Sequence, residues 1–306
     1  MIESPAAVAA PSAPEIEVLP DRTPLGSLLA YCRRNPHLFV GACMLLFLLL
    51  IGLAGPLFID VRRADPLSAL PSLPPSRENP LGTDDQGRDL LAVMVRGVPL
   101  TLRIGFLAGA AGLGIGIVLG LLAGYRGGVV DAVIRMTVDT LLTVPSLLVL
   151  ITIAASIKTF ISVDIMALVI ASVAWRQPTR TVRSQVLTLR ERAYVQVARL
   201  SGVNTFGIIV KEILPNMLPY LAASFVGAVA YAILASIGLE ALGLGPQNDP
   251  TIGMTIYWAI HFNALLRGLW WWWIPPILVV VTLFIGLFLL TAGLDEVANP
   301  RLRRQA

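Results

Sequence analysis

PLTLRIGFLAGAAGLGIGIVLGLLAG, residues 99–124, decides the fold class. A helix needs about 20 mainly apolar residues to cross a bilayer, and this run is longer than that, with Arg103 as its only charge. Its glycines fall in two rows: Gly105 and Gly109 are four apart, and so are Gly112, Gly116, Gly120 and Gly124. Four-residue spacing puts each row on one helix face, where small residues let a second backbone come close. Membrane helices tolerate glycine in general. Two aligned rows nevertheless predict a tightly packed member of a bundle rather than a lone anchor.

Five further apolar stretches flank it: 37–59, 130–157 (broken by Pro145), 160–176 (short, with Asp164), 218–245 and 269–293. The chain is 56% hydrophobic and 14% charged, against about 25% charged in a soluble domain. The expected class is an all-α integral membrane protein of about six transmembrane helices, with lipid as its solvent. Residues 1–24, rich in Ala and Pro, read as a disordered tail. No basic start or cleavage site marks a signal peptide. The remaining divisions are 25–98 (first span and an extracytoplasmic segment), 99–295 (core transmembrane domain) and 296–306 (cytoplasmic tail). Cys32 and Cys43 make no disulfide framework, and no Cys, His and carboxylate cluster has metal-ligand spacing.

The net charge of +4 bears on orientation rather than on nucleic acid, for which no role is expected. With the N-terminus inside, most of the 23 basic residues fall on inside segments. The reverse would export Arg176, Arg180, Arg183, Arg190, Arg192, Arg199 and Lys211 together. Both termini are therefore expected in the cytoplasm.

The longest inside stretch runs from Arg176 to Met217. Leu187–Leu200 reads as an amphipathic helix, Gly202 as its end, and Thr205–Leu214 as a second short helix stopping before Pro215. Two short helices around a glycine make a knob suited to a groove on a soluble partner. This stretch, 185–217, resembles the coupling loop of bacterial ABC importer permeases. That loop's pattern is Glu-Ala-Ala, three residues, Gly, nine residues, Ile-x-Leu-Pro. Ala198, Gly202, Leu214 and Pro215 match it; Gln196, Val197 and Glu212 depart from it.

Other segments are similar to one permease of the dipeptide/oligopeptide/nickel group: Leu81–Asp89 (LGTDDQGRD), Gly124–Gly128 with Asp131, Leu242–Gln247 (LGLGPQ) and Asn299–Arg303 (NPRLR). The resemblance implies the type I ABC importer permease fold in a bacterial inner membrane. It also implies a second homologous permease, two ATP-binding subunits and an extracytoplasmic solute-binding protein. Coupling to the ATPase would then fall on Tyr194, Gln196, Ala198, Gly202, Leu214 and Pro215. ATP and Mg belong to the partners, and no cofactor is expected on this chain. Its only lysines, Lys158 and Lys211, lack P-loop context, so it is expected to be a transport subunit and not an enzyme.

Ionisable groups at membrane depth default to functional hypotheses. Asp131, Arg135 and Asp139 share a helix face at i, i+4 and i+8 and read as an ion-pair ladder. Glu240 stands one turn from Ser236, where the family usually places its carboxylate. Both are candidates for the translocation path, with the outer interface as the alternative for Glu240. Trp270–Trp273 read as an interfacial belt, but consecutive helix positions diverge by about 100°, so one or two of the four turn inward. Trp270 and Trp273 join the path candidates. The cargo stays open between oligopeptides and oligosaccharides of cellobiose type. An ion-coupled carrier or a membrane scaffold is the rival from another class.

Overall fold

The computed structural model describes residues 35–298, and regular structure there is helical apart from one isolated bridge, Thr83–Asp89. The first two helices of the described residues are α1 (Pro36–Phe58) and α2 (Leu90–Arg126), with a 3-10 turn at Val61–Ala64 between them. Then come α3 (Gly128–Thr143), α4 (Ser146–Ser156), α5 (Val163–Ala174) and α6 (Arg176–Leu189). Next are α7 (Ala193–Leu200), α8 (Thr205–Ile208), a π segment (Ile209–Ile213) and α9 (Leu214–Ala241). The last two are α10 (Ile252–His261) and α11 (Trp270–Ala298). The expected tail 1–24, Cys32 and the NPRLR end lie outside the described residues.

Among the described residues, four stretches are long and apolar enough to cross a membrane: α1, α2, Thr205–Ala241 and α11. A fifth exists if α3 and α4, bent by 84° at Val144–Pro145, count as one span. Pro145 has no N–H and the residue before it avoids helical backbone, and Val144 is extended at ψ 125°. Within the expected span at 160–176 the helix is α5, with 12 residues, or about 18 Å, too short to cross alone. Trp175 keeps right-handed helical backbone (φ −72°, ψ −21°), so α6 continues the line of α5.

The two glycine rows of α2 serve two neighbours. A Cβ at Gly105 would lie 2.3 Å from Ile233, and one at Gly109 2.9 Å from the Val229 nitrogen, both on α9. The second row meets α5 and α6 in step: Gly112 on Ala174, Gly116 on Pro178, Gly120 on Val182, Gly124 on Val186. Positions climb together on α2 and α6, so these two run parallel, whereas α9 runs antiparallel to α2. Small residues thus place α2 at the centre, with backbones at van der Waals range. α1 packs on α11 by the same device, Gly41 against Leu290 and Gly293 against Leu38.

Residues 60–89 fold into a cap. Thr83 Oγ1 donates to the Leu70 carbonyl at 2.7 Å and accepts from the Leu73 N–H at 2.8 Å. Asp84 is fully buried and accepts from Arg88 Nε at 2.6 Å and from the N–H groups of Gln86 and Arg88 at 2.9 Å. Asp89 caps α2 by accepting from the Leu91 and Ala92 N–H groups. The LGTDDQGRD stretch is therefore a turn that buries its own ion pair and starts a membrane helix.

Candidate functional site

The elbow after α6 differs in detail from its sequence reading. Leu187–Leu200 is not one helix: the chain breaks at Arg190–Arg192 between α6 and α7. α7 then ends in a double hydrogen-bonded turn. Gly202 N–H donates to the Arg199 carbonyl and Val203 N–H to the Ala198 carbonyl, each at 3.1 Å. Gly202 sits at φ +77°, the left-handed C′ position that glycine fills without a Cβ penalty. Asn204 restarts the helix by accepting from the Gly207 N–H at 2.7 Å. The second helix does not stop before Pro215. The π segment absorbs the proline's missing donor: Leu214 N–H reaches back to the Ile209 carbonyl, and Pro215 falls in the first turn of α9, where no intrahelical donor is required.

Val195, Ile208 and Ile213 anchor the elbow, each at most 1% exposed, in a core with Val182, Val186 and Met217. Its other face carries Val197, Leu200, Val203 and Phe206 to the surface, Leu200 at 88% and Phe206 at 75% exposure. Tyr194 and Pro215 are exposed and Leu214 half-buried. Gln196 Nε2 donates to the Arg190 carbonyl at 3.3 Å, bracing the turn between α6 and α7.

Asp131, Arg135 and Asp139 form no ladder. Arg183 of α6 takes Asp131 with Nε and with Nη2, the latter at 2.7 Å. Arg135 and Asp139 are exposed. The face-sharing was right, but an arginine from another helix wins the carboxylate with a two-point grip.

Glu240 reaches neither a path nor an interface in this structure. It is fully buried, as is Ser236. Its carboxylate accepts from Ser236 Oγ at 2.5 Å and Thr251 Oγ1 at 2.6 Å, with the Gly253 and Met254 N–H groups of the α10 N-terminus beside it. A Cβ at Gly253 would come within 2.2 Å of Oε2, so the glycine makes room for the carboxylate. The cluster ties the end of α9 to α10, a 10-residue helix absent from the sequence reading. Of the Trp run, Trp272 is fully buried, Trp270 is 52% exposed, and Trp271 Nε1 donates to the Thr83 carbonyl at 3.3 Å. Trp273 is partly buried.

One site escaped the sequence reading. A cavity of about 450 Å³ opens beside the break between α3 and α4, lined by Ser146, Arg176, Thr181, Ser224, Gly227 and Tyr231 among others. The α9 members recur at helical spacing along one face. Arg176, only 4% exposed, staples the break. Its Nη1 donates to the Leu141 carbonyl at 2.5 Å, Nη2 to Ser146 Oγ at 2.9 Å, and Nε to the Val173 carbonyl at 3.0 Å. Leu141 and Val173 lie in the last turns of α3 and α5, so one cation satisfies a carbonyl of each helix and meets the negative end of α3.

A family model described as the binding-protein-dependent transport system inner membrane component matches residues 116–304. The chain belongs to that family. Among its relatives, the dipeptide transport system permease protein DppC of Bacillus subtilis (strain 168) is 30% identical over 89% of this chain and 84% of its own length. The oligopeptide transport system permease protein OppC of Mycobacterium tuberculosis (strain H37Rv) is 35% identical over 60% of this chain and 63% of its own. Inward-facing structures of the MetNI methionine ABC transporter share the fold, with a TM-score of 0.53 at 20% identity over 69% of this chain and 97% of theirs. As a member of this family the chain is a multi-pass membrane transport component, and the matched range contains both the elbow and the cavity.

Proposed function

We propose that this chain is one of two related permease subunits of an ATP-driven importer of oligopeptides, with two ATP-binding subunits at the elbow and a solute-binding protein at the cap. The observation that carries this is the elbow's outward apolar face on a left-handed glycine turn. The cap adjoins Leu90 at one end of α2, and the elbow packs beside Tyr125 at the other, about 50 Å apart at 1.5 Å per residue. That exceeds the hydrocarbon core of about 30 Å, which supports opposite sides of the membrane for the two. Six crossings with both termini cytoplasmic follow if α3–α4 counts as one span and α5–α6 as another.

In this reading Tyr194, Gln196, Ala198 and Gly202 shape the knob, while Leu214 and Pro215 join it rigidly to α9. Closure of the ATP-binding subunits around ATP and Mg drags the knob, and α9 with the α5–α6 line moves as a body. The cavity between these elements is this subunit's share of the path, because irregular backbone at membrane depth is tolerated where it lines a cavity. Ser236 and Glu240 hold α9 to α10 behind that path.

Family membership sets aside the ion-coupled carrier and the scaffold. The oligosaccharide reading draws on the Trp270–Trp273 run and on Glu240, of which Trp272 and Glu240 are buried, whereas relatives are named for dipeptides and oligopeptides. Reconstituted with its partners and binding protein, the chain should support ATP-dependent accumulation of a labelled oligopeptide. Uptake without ATP, or of an oligosaccharide alone, would contradict the proposal.

A further inference from the structure

The cavity at the broken span holds one formal charge and no counter-charge. Arg176 lines it, and among the described residues it pairs with no carboxylate. No acidic side chain lines the cavity. A guanidinium carries five N–H groups. Three go to neutral acceptors, which leaves one on Nη1 and one on Nη2. Hydroxyls of Ser146, Thr181, Ser224 and Tyr231 share the same walls.

A solute carboxylate loses its hydration on entering a membrane, at a cost of several kcal/mol unless the site offers charge-assisted hydrogen bonds. We propose that this cavity receives the carboxylate end of the transported solute, with the two spare N–H groups of Arg176 as its donors. This rests on reading the cavity as part of the path. The carbonyls that accept from Arg176 temper its field, which suits a site that must release its occupant as readily as it takes it. The same charge repels cationic groups, so the cavity discriminates between solute ends and not only by size.

The test uses the complete importer in vesicles of zwitterionic phosphatidylcholine, where no anionic headgroup competes. ATP-driven uptake of one short peptide is measured as free acid and as C-terminal amide. Each rate is corrected for that peptide's affinity for the isolated binding protein. Ser224→Asp sets a carboxylate in the cavity without removing any of the three bonds that Arg176 makes. It should lower the acid-to-amide uptake ratio about tenfold, the effect of about 1.4 kcal/mol. A general folding defect lowers both rates alike and leaves the ratio unmoved, and an unmoved ratio overturns the inference. Gly227→Leu probes the underlying reading. A Cβ there meets nothing within 4 Å, so the side chain starts into open space, takes up room in the cavity and should reduce uptake of both peptides. Unchanged uptake of both would sink the path assignment itself, whereas reduced uptake in Gly227→Leu with an unmoved ratio in Ser224→Asp would spare the path and sink only the carboxylate.

Discussion

The cap at 60–89 and the elbow at 190–213 stand at opposite ends of α2 and are built in opposite ways. The cap closes on itself. Asp84 and Arg88 are buried and paired at 2.6 Å, Arg63 reaches Asn79 at 2.6 Å, and Thr83 is bonded in both directions. The elbow satisfies its backbone but turns Val197, Leu200, Val203 and Phe206 outward. A region whose buried polar groups are nearly all in use, with Arg88 Nη2 the exception, needs little from outside. Exposed apolar residues gathered around one turn mark a surface completed by something else.

The comparison is sharpest under mutation. The largest effect on stability is expected in the cap. Asp84→Ala removes the acceptor of three donors and leaves the Arg88 guanidinium buried and unpaired, a loss of about 3–5 kcal/mol, read as a large fall in melting temperature of the purified protein. Phe206→Asp should show the converse, with melting unchanged and coupled uptake reduced about tenfold or more, since a charge is forced into an apolar contact. Melting losses of equal size in both variants would erase the distinction. Gly202→Val lies between them: a Cβ there meets no neighbour within 4 Å, but a β-branched residue at φ +77° costs about 1–2 kcal/mol, and uptake should fall with the distorted turn.

The smallest effect is the pH response of the exposed link between the cap and the turn after α10. Hydrogen bonds from Arg267, at 2.6 Å, and from Ser72 hold the Asp85 carboxyl below the usual carboxylate range despite some burial. A carboxyl depressed in the folded state stabilises that state above its unfolded pKa, and the contribution disappears as pH falls through the lowered value. Melting of wild type should therefore weaken more than that of Arg267→Ala on acidification below about pH 4. At neutral pH the two should differ little, as solvent screens the pair.

Much of the membrane fold was legible because four-residue glycine spacing is a local pattern that maps directly onto helix faces. Gly202 was legible for the same reason, since a left-handed turn leaves its mark in one residue. What escaped depends on contacts between distant segments. Ser236 and Glu240 were rightly placed on one face, yet only Thr251 and the N-terminus of α10 show why that face is buried. Arg183 takes Asp131 from 52 positions away, so a ladder drawn on α3 alone could not anticipate it. Arg176 looked like one more positive-inside arginine, and its role emerges only where the ends of α3 and α5 converge on it. Pro215 misled because proline usually ends a helix, while a π segment one turn earlier accommodates it.

The proposed function makes the elbow an inward-facing joint to an ATP-driven partner. Leu200→Cys, with the native cysteines replaced by serine, tests it most directly in the assembled importer. A disulfide cross-link is expected from position 200 to a cysteine in a surface groove of the ATP-binding subunit, together with protection of position 200 from an impermeant thiol reagent added outside intact cells. Labelling of position 200 from outside, or no cross-link to that subunit from any groove position, would contradict it.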